Sequence, residues 1–316
     1  MTKIACIFPG QGAQYPGMGK EIAESFRESM EIYDKASEVL GMDMKKLCFE
    51  GDEEELKKTE NTQPSILTTS IAILEALKLN GITPQVTAGL SLGEYSALVA
   101  SNAIDFEDAV AVVKKRGQYM QEAVPAGEGT MAAIMGLSKE EIVECLKLVN
   151  DYGIVEAANY NCPGQVVIAG HTKAVEKACA LLKEKGAKRA MILPVSAPFH
   201  SSLLKPAGEK LAKELENIKI KKPELPVISN VHANVIKDEN ETKRLLIEQV
   251  STSVLWEDSV RNMIDMGVNT FIEVGPGKTL SSFVKKIDKN SCVYNVEDLV
   301  SLENTIASIR ERLQCS

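Results

Sequence analysis

The sequence predicts a mixed α/β protein in which a small ferredoxin-like unit is inserted into a larger α/β domain. Three observations lead there. Short apolar runs alternate with stretches of helical periodicity along nearly the whole chain. Between "PAGEG" and "PVSAP" that rhythm changes to strand, helix, strand, strand, helix, strand. Both flanking stretches carry proline and suit linkers. The large domain is therefore expected from residues 1–126 and 197–316, and the insert from residues 127–196.

In chain order, residues 3–8 read as a buried strand that ends at "PGQG". Helical periodicity follows over 18–40, with Gly41 as its stop. A second helix is expected over 64–79, closed by Asn-Gly. A strand at 86–88 meets Gly89, Ser91 and Gly93, and a helix runs on to residue 101. Asp105 is placed to cap the next helix, which reaches about residue 123. In the insert, "TMAAIMGL" is a strand and "SKEEIVECLKLVN" a helix opened by a Ser138–Glu141 capping box. Strands at 154–158 and 165–169, a helix at 173–185 and a strand at 189–193 complete it. The large domain resumes with a helix over 201–217, the strand "PVISN" and helices on either side of Trp256. The strand "TFIEV", a helix from Thr279 and the strand "CVYNV" follow.

Composition narrows the function. A chain of 316 residues with 44% hydrophobic and 25% charged residues is ordinary for a soluble globular protein. Its net charge of −8 argues against nucleic acid as a partner, because phosphate neutralisation needs a basic surface. The seven cysteines, at 6, 48, 145, 162, 179, 292 and 315, form no C-x-x-C pair, and the three histidines supply no zinc spacing. Reduced thiols and no metal are expected. The apolar run near the N-terminus is too short for a signal peptide, and nothing approaches the ~18 apolar residues of a membrane span. A cytoplasmic protein without membrane contact is the expectation.

The stretch "GLSLG", residues 89–93, fits G-x-S-x-G between a strand and a helix, the setting of a nucleophilic serine on a sharp turn. Ser91 needs a base. His171 opens a surface helix of the insert, and nothing near His232 gives it a task. His200, in "SAPFHSS" where the large domain resumes, is placed for a cleft and is the best candidate. A Ser-His-Asp hydrolase of this chain order would carry its acid between the two, yet no carboxylate there sits in a strand-end loop. Asp105 reads as a helix cap, so the third member can be a backbone carbonyl. "PGQGAQYPGMG" is not a phosphate loop, since Tyr15 stands at the third glycine position. "GPGKT" fails as a Walker motif because its first glycine would be Ile272. The glycine-flanked Gln11 can instead offer a backbone N–H. With that of Leu92 it would make an oxyanion hole, each donor worth about 3 kcal/mol in the transition state. Arg116 follows Lys114 and Lys115, which can form a solvated face while Arg116 points elsewhere.

Taken together, "FPGQGAQYPGMG", "GLSLGEYSALV", "KKRGQYMQ", "NYNCPGQVVIAG", "VSAPFHS", "ISNVHA", "QVSTSVLWEDSV" and "EVGPGKTLS" resemble, in order and over nearly the whole chain, the acyltransferase family of fatty acid and polyketide synthesis, in particular its malonyl-CoA:acyl-carrier-protein transacylases. The resemblance implies an α/β-hydrolase-like core with the ferredoxin-like (βαββαβ) insert. It implies Ser91 as acyl carrier, His200 as base, and Gln249 orienting His200 through its backbone carbonyl. Gln11 and Leu92 would form the oxyanion hole. Arg116 would hold the malonyl carboxylate, and Phe199 and Met120 would border the substrate, Phe199 matching the form associated with malonyl rather than methylmalonyl. Leu90 stands where many members carry histidine.

The implied reaction is ping-pong malonyl transfer from malonyl-CoA to the phosphopantetheine thiol of acyl carrier protein, with no bound cofactor or metal. Lys278, Lys285, Lys286 and Lys289 are candidates for docking that acidic carrier. Two rivals stay open: a thioesterase or esterase, disfavoured by the absent acid and by Arg116, and a carrier-binding scaffold without activity; within the family, an acyltransferase of a polyketide pathway is the alternative to one of fatty acid synthesis.

Overall fold

Strand β1 (Ile4–Phe8) turns Ile4, Cys6 and Phe8 to one side and Ala5 and Ile7 to the other, and all five are buried. A strand apolar on both faces belongs inside a covered parallel sheet. The computed structural model, which describes residues 2–125, 127–195 and 197–314, contains such a sheet. Its strands, with those of a second sheet, are β2 (Val86–Gly89), β3 (Gly129–Met135), β4 (Val155–Cys162), β5 (Gln165–His171), β6 (Arg189–Ile192), β7 (Val227–Ile228), β8 (Thr270–Val274) and β9 (Cys292–Val296).

The parallel sheet has the order β7-β2-β1-β8-β9. One face packs on helices Thr59–Leu79 and Gly93–Ala100, the other on Trp256–Asp265 and Thr279–Ile287. The antiparallel sheet has the order β4-β5-β3-β6. Ala132, Ile134, Val166 and Ile168 face helices Lys139–Lys147 and Thr172–Glu184. Because side chains alternate along a strand, the next residues, Met131 and Val167, face the other way and join the core that holds Ile4, Cys6 and Phe8 of β1.

Several expected elements differ in extent. The periodicity over 18–40 is broken at Phe26, whose extended backbone separates helices Lys20–Ser25 and Arg27–Leu40. The helix expected from residue 64 starts a turn earlier, at Thr59, so that Pro64 lies inside it. Its first turns are polar yet buried, which hid the apolar period. Asp105 occupies the cap position of helix Phe106–Glu122, but its carboxylate pairs with Lys221 instead of capping. The Ser138–Glu141 capping box is present. Helices Met44–Glu50, Glu53–Lys57 and Leu299–Gln314 were not expected. Residues 126 and 196, at the expected domain boundaries, and Cys315 lie outside the described residues.

Candidate active site

Ser91 sits just beyond the carboxyl end of β2 with φ 54°, a left-handed backbone that costs a non-glycine residue about 1–3 kcal/mol. Two glycines make room for this turn. A Cβ at Gly89 would overlap the carbonyl of Gly93, and one at Gly93 would overlap the carbonyl of Phe8 in β1. Asn230, just past β7, holds the strained residue: Ser91 N–H donates to Asn230 Oδ1 at 2.6 Å, and Asn230 Nδ2 donates to the Gly89 carbonyl at 2.7 Å. Helix Gly93–Ala100 starts immediately afterwards. The serine is thus fixed at the ends of adjacent parallel strands, where open α/β sheets form their crevices.

His200 also has a left-handed backbone, φ 60°, and is buried. Its Nε2 lies 2.7 Å from Ser91 Oγ and its Nδ1 2.8 Å from the Gln249 carbonyl. A carbonyl only accepts, so Nδ1 carries the proton and Nε2 accepts from the serine hydroxyl. Burial, helped by the charge of Arg116, pushes the imidazole down to about 4, against the Gln249 and Thr252 backbone groups that pull it up. His200 is therefore neutral at neutral pH, with its Nε2 lone pair available.

Arg116 is buried beside this pair because Gly117 lets its helix, Phe106–Glu122, close on helix Thr59–Leu79; a Cβ there would meet the Thr59 carbonyl. Its Nη1 donates to Gln63 Oε1 at 2.7 Å, and its Nη2 donates to Gln249 Oε1 at 2.9 Å and to Ser91 Oγ at 3.1 Å. The guanidinium lies 5.6 Å from the centre of the Tyr95 ring. Among the described residues its Nε has no partner. Lys115 is exposed on the same helix, whereas Lys114 is half-buried and its Nζ donates to Asn61 Oδ1 at 3.0 Å, so the expected solvated face is Lys115 alone.

A cleft of about 290 Å³ between the two sheets opens onto these groups. Gln11 and Leu92 line it, and among the described residues neither backbone N–H donates to another group. Phe199 and Met120 also line it. The antiparallel sheet contributes Met131, Ala133, Asn159, Asn161, Gln165 and Val167, all uncharged. Thus Ser91, His200, Gln249, Arg116, Gln11, Leu92, Phe199 and Met120 are brought to one place. His171 accepts from Ile154 N–H through Nδ1 at 2.9 Å, and His232 accepts from Asn234 N–H at 3.2 Å; neither lines this cleft. Lys278, Lys285, Lys286 and Lys289 are exposed on and just beyond helix Thr279–Ile287, whose Thr279, Leu280 and Phe283 border the cleft.

Three residues around the pair had no role in the sequence reading. Asn230 grips the serine, Gln63 grips Arg116, and Glu94 is fully buried beneath both. Burial pushes the Glu94 carboxyl up to about 7, against bonds from Asn230 and Gln249 and the charge of Arg116. A charged residue three positions past the serine in a buried helix was the available signal for Glu94. Asn230 and Gln63 meet the site across 139 and 53 residues, and no spacing rule reveals that. Among the described residues no group of three His, Cys, Asp or Glu could hold a metal ion, and no helix is long and apolar enough to cross a membrane.

The family model described as "Acyl transferase domain" matches residues 5–304. The malonyl CoA-acyl carrier protein transacylase of Bacillus subtilis is 52% identical over 312 residues, 98% of each chain. The crystal structure of malonyl CoA-acyl carrier protein transacylase from Clostridium perfringens superposes with a TM-score of 0.97 at 52% identity, covering 99% of both chains. A malonyl-transacylase solved in complex with its type II PKS acyl-carrier protein superposes with a TM-score of 0.95 at 42% identity, covering 97% of this chain and 100% of that one. With the serine, histidine and arginine assembled as above, the chain belongs to the acyl transferase domain family.

Proposed function

We propose that this protein transfers the malonyl group of malonyl-CoA to the phosphopantetheine thiol of an acyl carrier protein, through a malonyl ester on Ser91, in fatty acid biosynthesis. Ser91 Oγ adds to the thioester carbon while its proton passes to His200 Nε2. The negative oxygen of the tetrahedral intermediate is received by the N–H groups of Gln11 and Leu92. The C–S bond breaks, and His200 returns the proton to the departing coenzyme A sulfur. The carrier thiol then gives its proton to His200, attacks the ester carbonyl and takes the malonyl group, and Ser91 regains its proton. The Gln249 carbonyl holds the imidazole tautomer throughout and stabilises the imidazolium between steps. Arg116 pairs with the free malonyl carboxylate, a charge-assisted interaction worth about 1.5–3 kcal/mol in a shielded site. Phe199 and Met120 bound the acyl group.

The observation that carries this reading is the buried Arg116, 3.1 Å from the same Oγ that contacts His200. Ester hydrolysis has no use for a guanidinium there, whereas a dicarboxylic acyl group does. The relatives' names, which pair malonyl-CoA with acyl carrier protein, support the same substrates. Malonyl-CoA and the carrier are substrates, and the steps call for no bound cofactor. A cytoplasmic location goes with this reading. The exposed cluster Lys278, Lys285, Lys286 and Lys289 suits an acidic carrier; reversing these charges should raise the apparent KM for carrier and leave that for malonyl-CoA in place. An unchanged carrier KM removes the cluster from the reading.

The large unit, residues 1–126 and 197–316, is read as an α/β-hydrolase-like core and residues 127–196 as a ferredoxin-like insert. The insert's first strand, β3, lying between its third and fourth, supports the latter. The function is tested by mixing enzyme, malonyl-CoA and pantetheinylated carrier and measuring malonyl-carrier against free malonate. Malonyl-carrier should dominate; malonate released at one rate with or without carrier would make the protein a hydrolase.

A further inference from the structure

No step above uses Glu94. It lies in the first turn of helix Gly93–Ala100 and is fully buried. Its Oε2 accepts from Asn230 N–H at 3.0 Å and from Gln249 Nε2 at 2.8 Å. Its Oε1 has no partner among the described residues. Burying a carboxyl with one oxygen unpaired is costly, and packing alone would be better served by an apolar side chain.

What the carboxyl does obtain is a direction for its neighbour. A glutamine amide donates on one side and accepts on the other. Gln249 Nε2 points at Glu94 and at the Ser91 carbonyl, 3.1 Å away. Its Oε1 must then face the opposite way, where it accepts from Arg116 Nη2 at 2.9 Å. Turned over, the amide would set its NH₂ against the guanidinium, donor against donor, and its oxygen against the Ser91 carbonyl.

We propose that Glu94 is a positioning residue that fixes the orientation of the Gln249 amide, thereby aims Arg116 at the acyl pocket, and so sets the preference for an acyl group that carries a carboxylate. The inference rests on the reading of Arg116 as the malonyl clamp.

The test compares kcat/KM for malonyl-CoA and acetyl-CoA in wild type, Glu94→Leu, Glu94→Gln, Gln249→Met, the Glu94→Leu/Gln249→Met pair and Arg116→Ala. Glu94→Leu should lower the malonyl/acetyl ratio about tenfold, because a mis-aimed Arg116 keeps only part of its charge-assisted bond to the malonyl carboxylate. Glu94→Gln, whose amide oxygen can still accept from Gln249 Nε2, should stay within about threefold of wild type. Gln249→Met keeps the backbone carbonyl that binds His200 and should repeat the Glu94→Leu shift, and the pair should add little to either single change. A fall in both substrates alike, an unchanged ratio, or Glu94→Gln behaving as Glu94→Leu would overturn the proposal. If Glu94→Leu does not fold, an unchanged ratio in Gln249→Met does so. An unchanged ratio in Arg116→Ala removes the clamp reading itself, whereas a shift there without one in the Glu94 and Gln249 variants removes only this inference.

Discussion

The two walls of the cleft are made by different kinds of residue. Beyond the strands of the parallel sheet stand a strained serine, a strained histidine, a buried arginine and a buried glutamate, all joined by polar contacts. The facing wall, from the antiparallel sheet, offers only methyl groups, thioether and amides, and its register is regular along β3. The difference follows from how the sheets are built. A covered parallel sheet has polar chain ends that must be satisfied, and loops leaving neighbouring strands converge there. An antiparallel sheet with helices on one face spends its side chains on alternation and leaves a smooth opposite face. Chemistry is concentrated on one wall and shape on the other.

That division can be broken by substitution, and the largest effect is expected on the serine side. Ser91→Ala should lower transfer on the order of 10⁴-fold or more, the scale seen when a nucleophile is removed from a coupled pair. Residual transfer within tenfold of wild type would put the nucleophile elsewhere.

Arg116→Ala should reduce the malonyl/acetyl ratio of kcat/KM by about 10- to 100-fold, as one charge-assisted bond is lost. The same variant has a second signature. His200 is held down at about 4 by burial and by the Arg116 charge, so the base function proposed for it would be present above that pH and lost as the pH falls through it. The acid limb of kcat/KM is therefore expected near 4 in the wild type. Removing the cation favours protonation and should move the limb up, toward the ordinary 6.5. A limb already at 6.5 in the wild type, or one that moves down in the variant, would contradict this electrostatic picture.

The smallest effect belongs to the uncharged wall. Val167→Ala enlarges the cleft without touching a polar contact and should leave malonyl transfer within about threefold, while bulkier acyl groups are accepted more readily. A loss comparable with that of Arg116→Ala would mean that the wall does more than shape the pocket.

The same division decides what the sequence could reveal. The order of the strands was legible because apolar runs are local; the Ser138–Glu141 box and the turn around Ser91 are both written in five residues or fewer. Helix Thr59–Leu79 was truncated because Thr59, Asn61, Thr62 and Gln63 are buried polar residues, which no hydrophobic period detects, and because Pro64 imitates a helix start. Phe26 ends one helix and opens another without glycine or proline to mark it. Helix Leu299–Gln314 lies beyond the last strand, where no motif marks the sequence. Within the site, residues that stand beside a motif could be named from it. Glu94, Asn230 and the Gln249 side chain stand inside such motifs but could not be given tasks, since their contacts span 136 to 158 residues and neither amide is a nucleophile, base or anion clamp by residue type.

The most direct measurement is the intact mass of the protein after mixing with malonyl-CoA, first alone and then with pantetheinylated carrier, beside Ser91→Ala. We expect one malonyl adduct on the wild type, none on the variant, and transfer of that adduct to the carrier. An adduct that persists on Ser91→Ala, or one lost to water at the same rate with or without carrier, would contradict acyl transfer through Ser91.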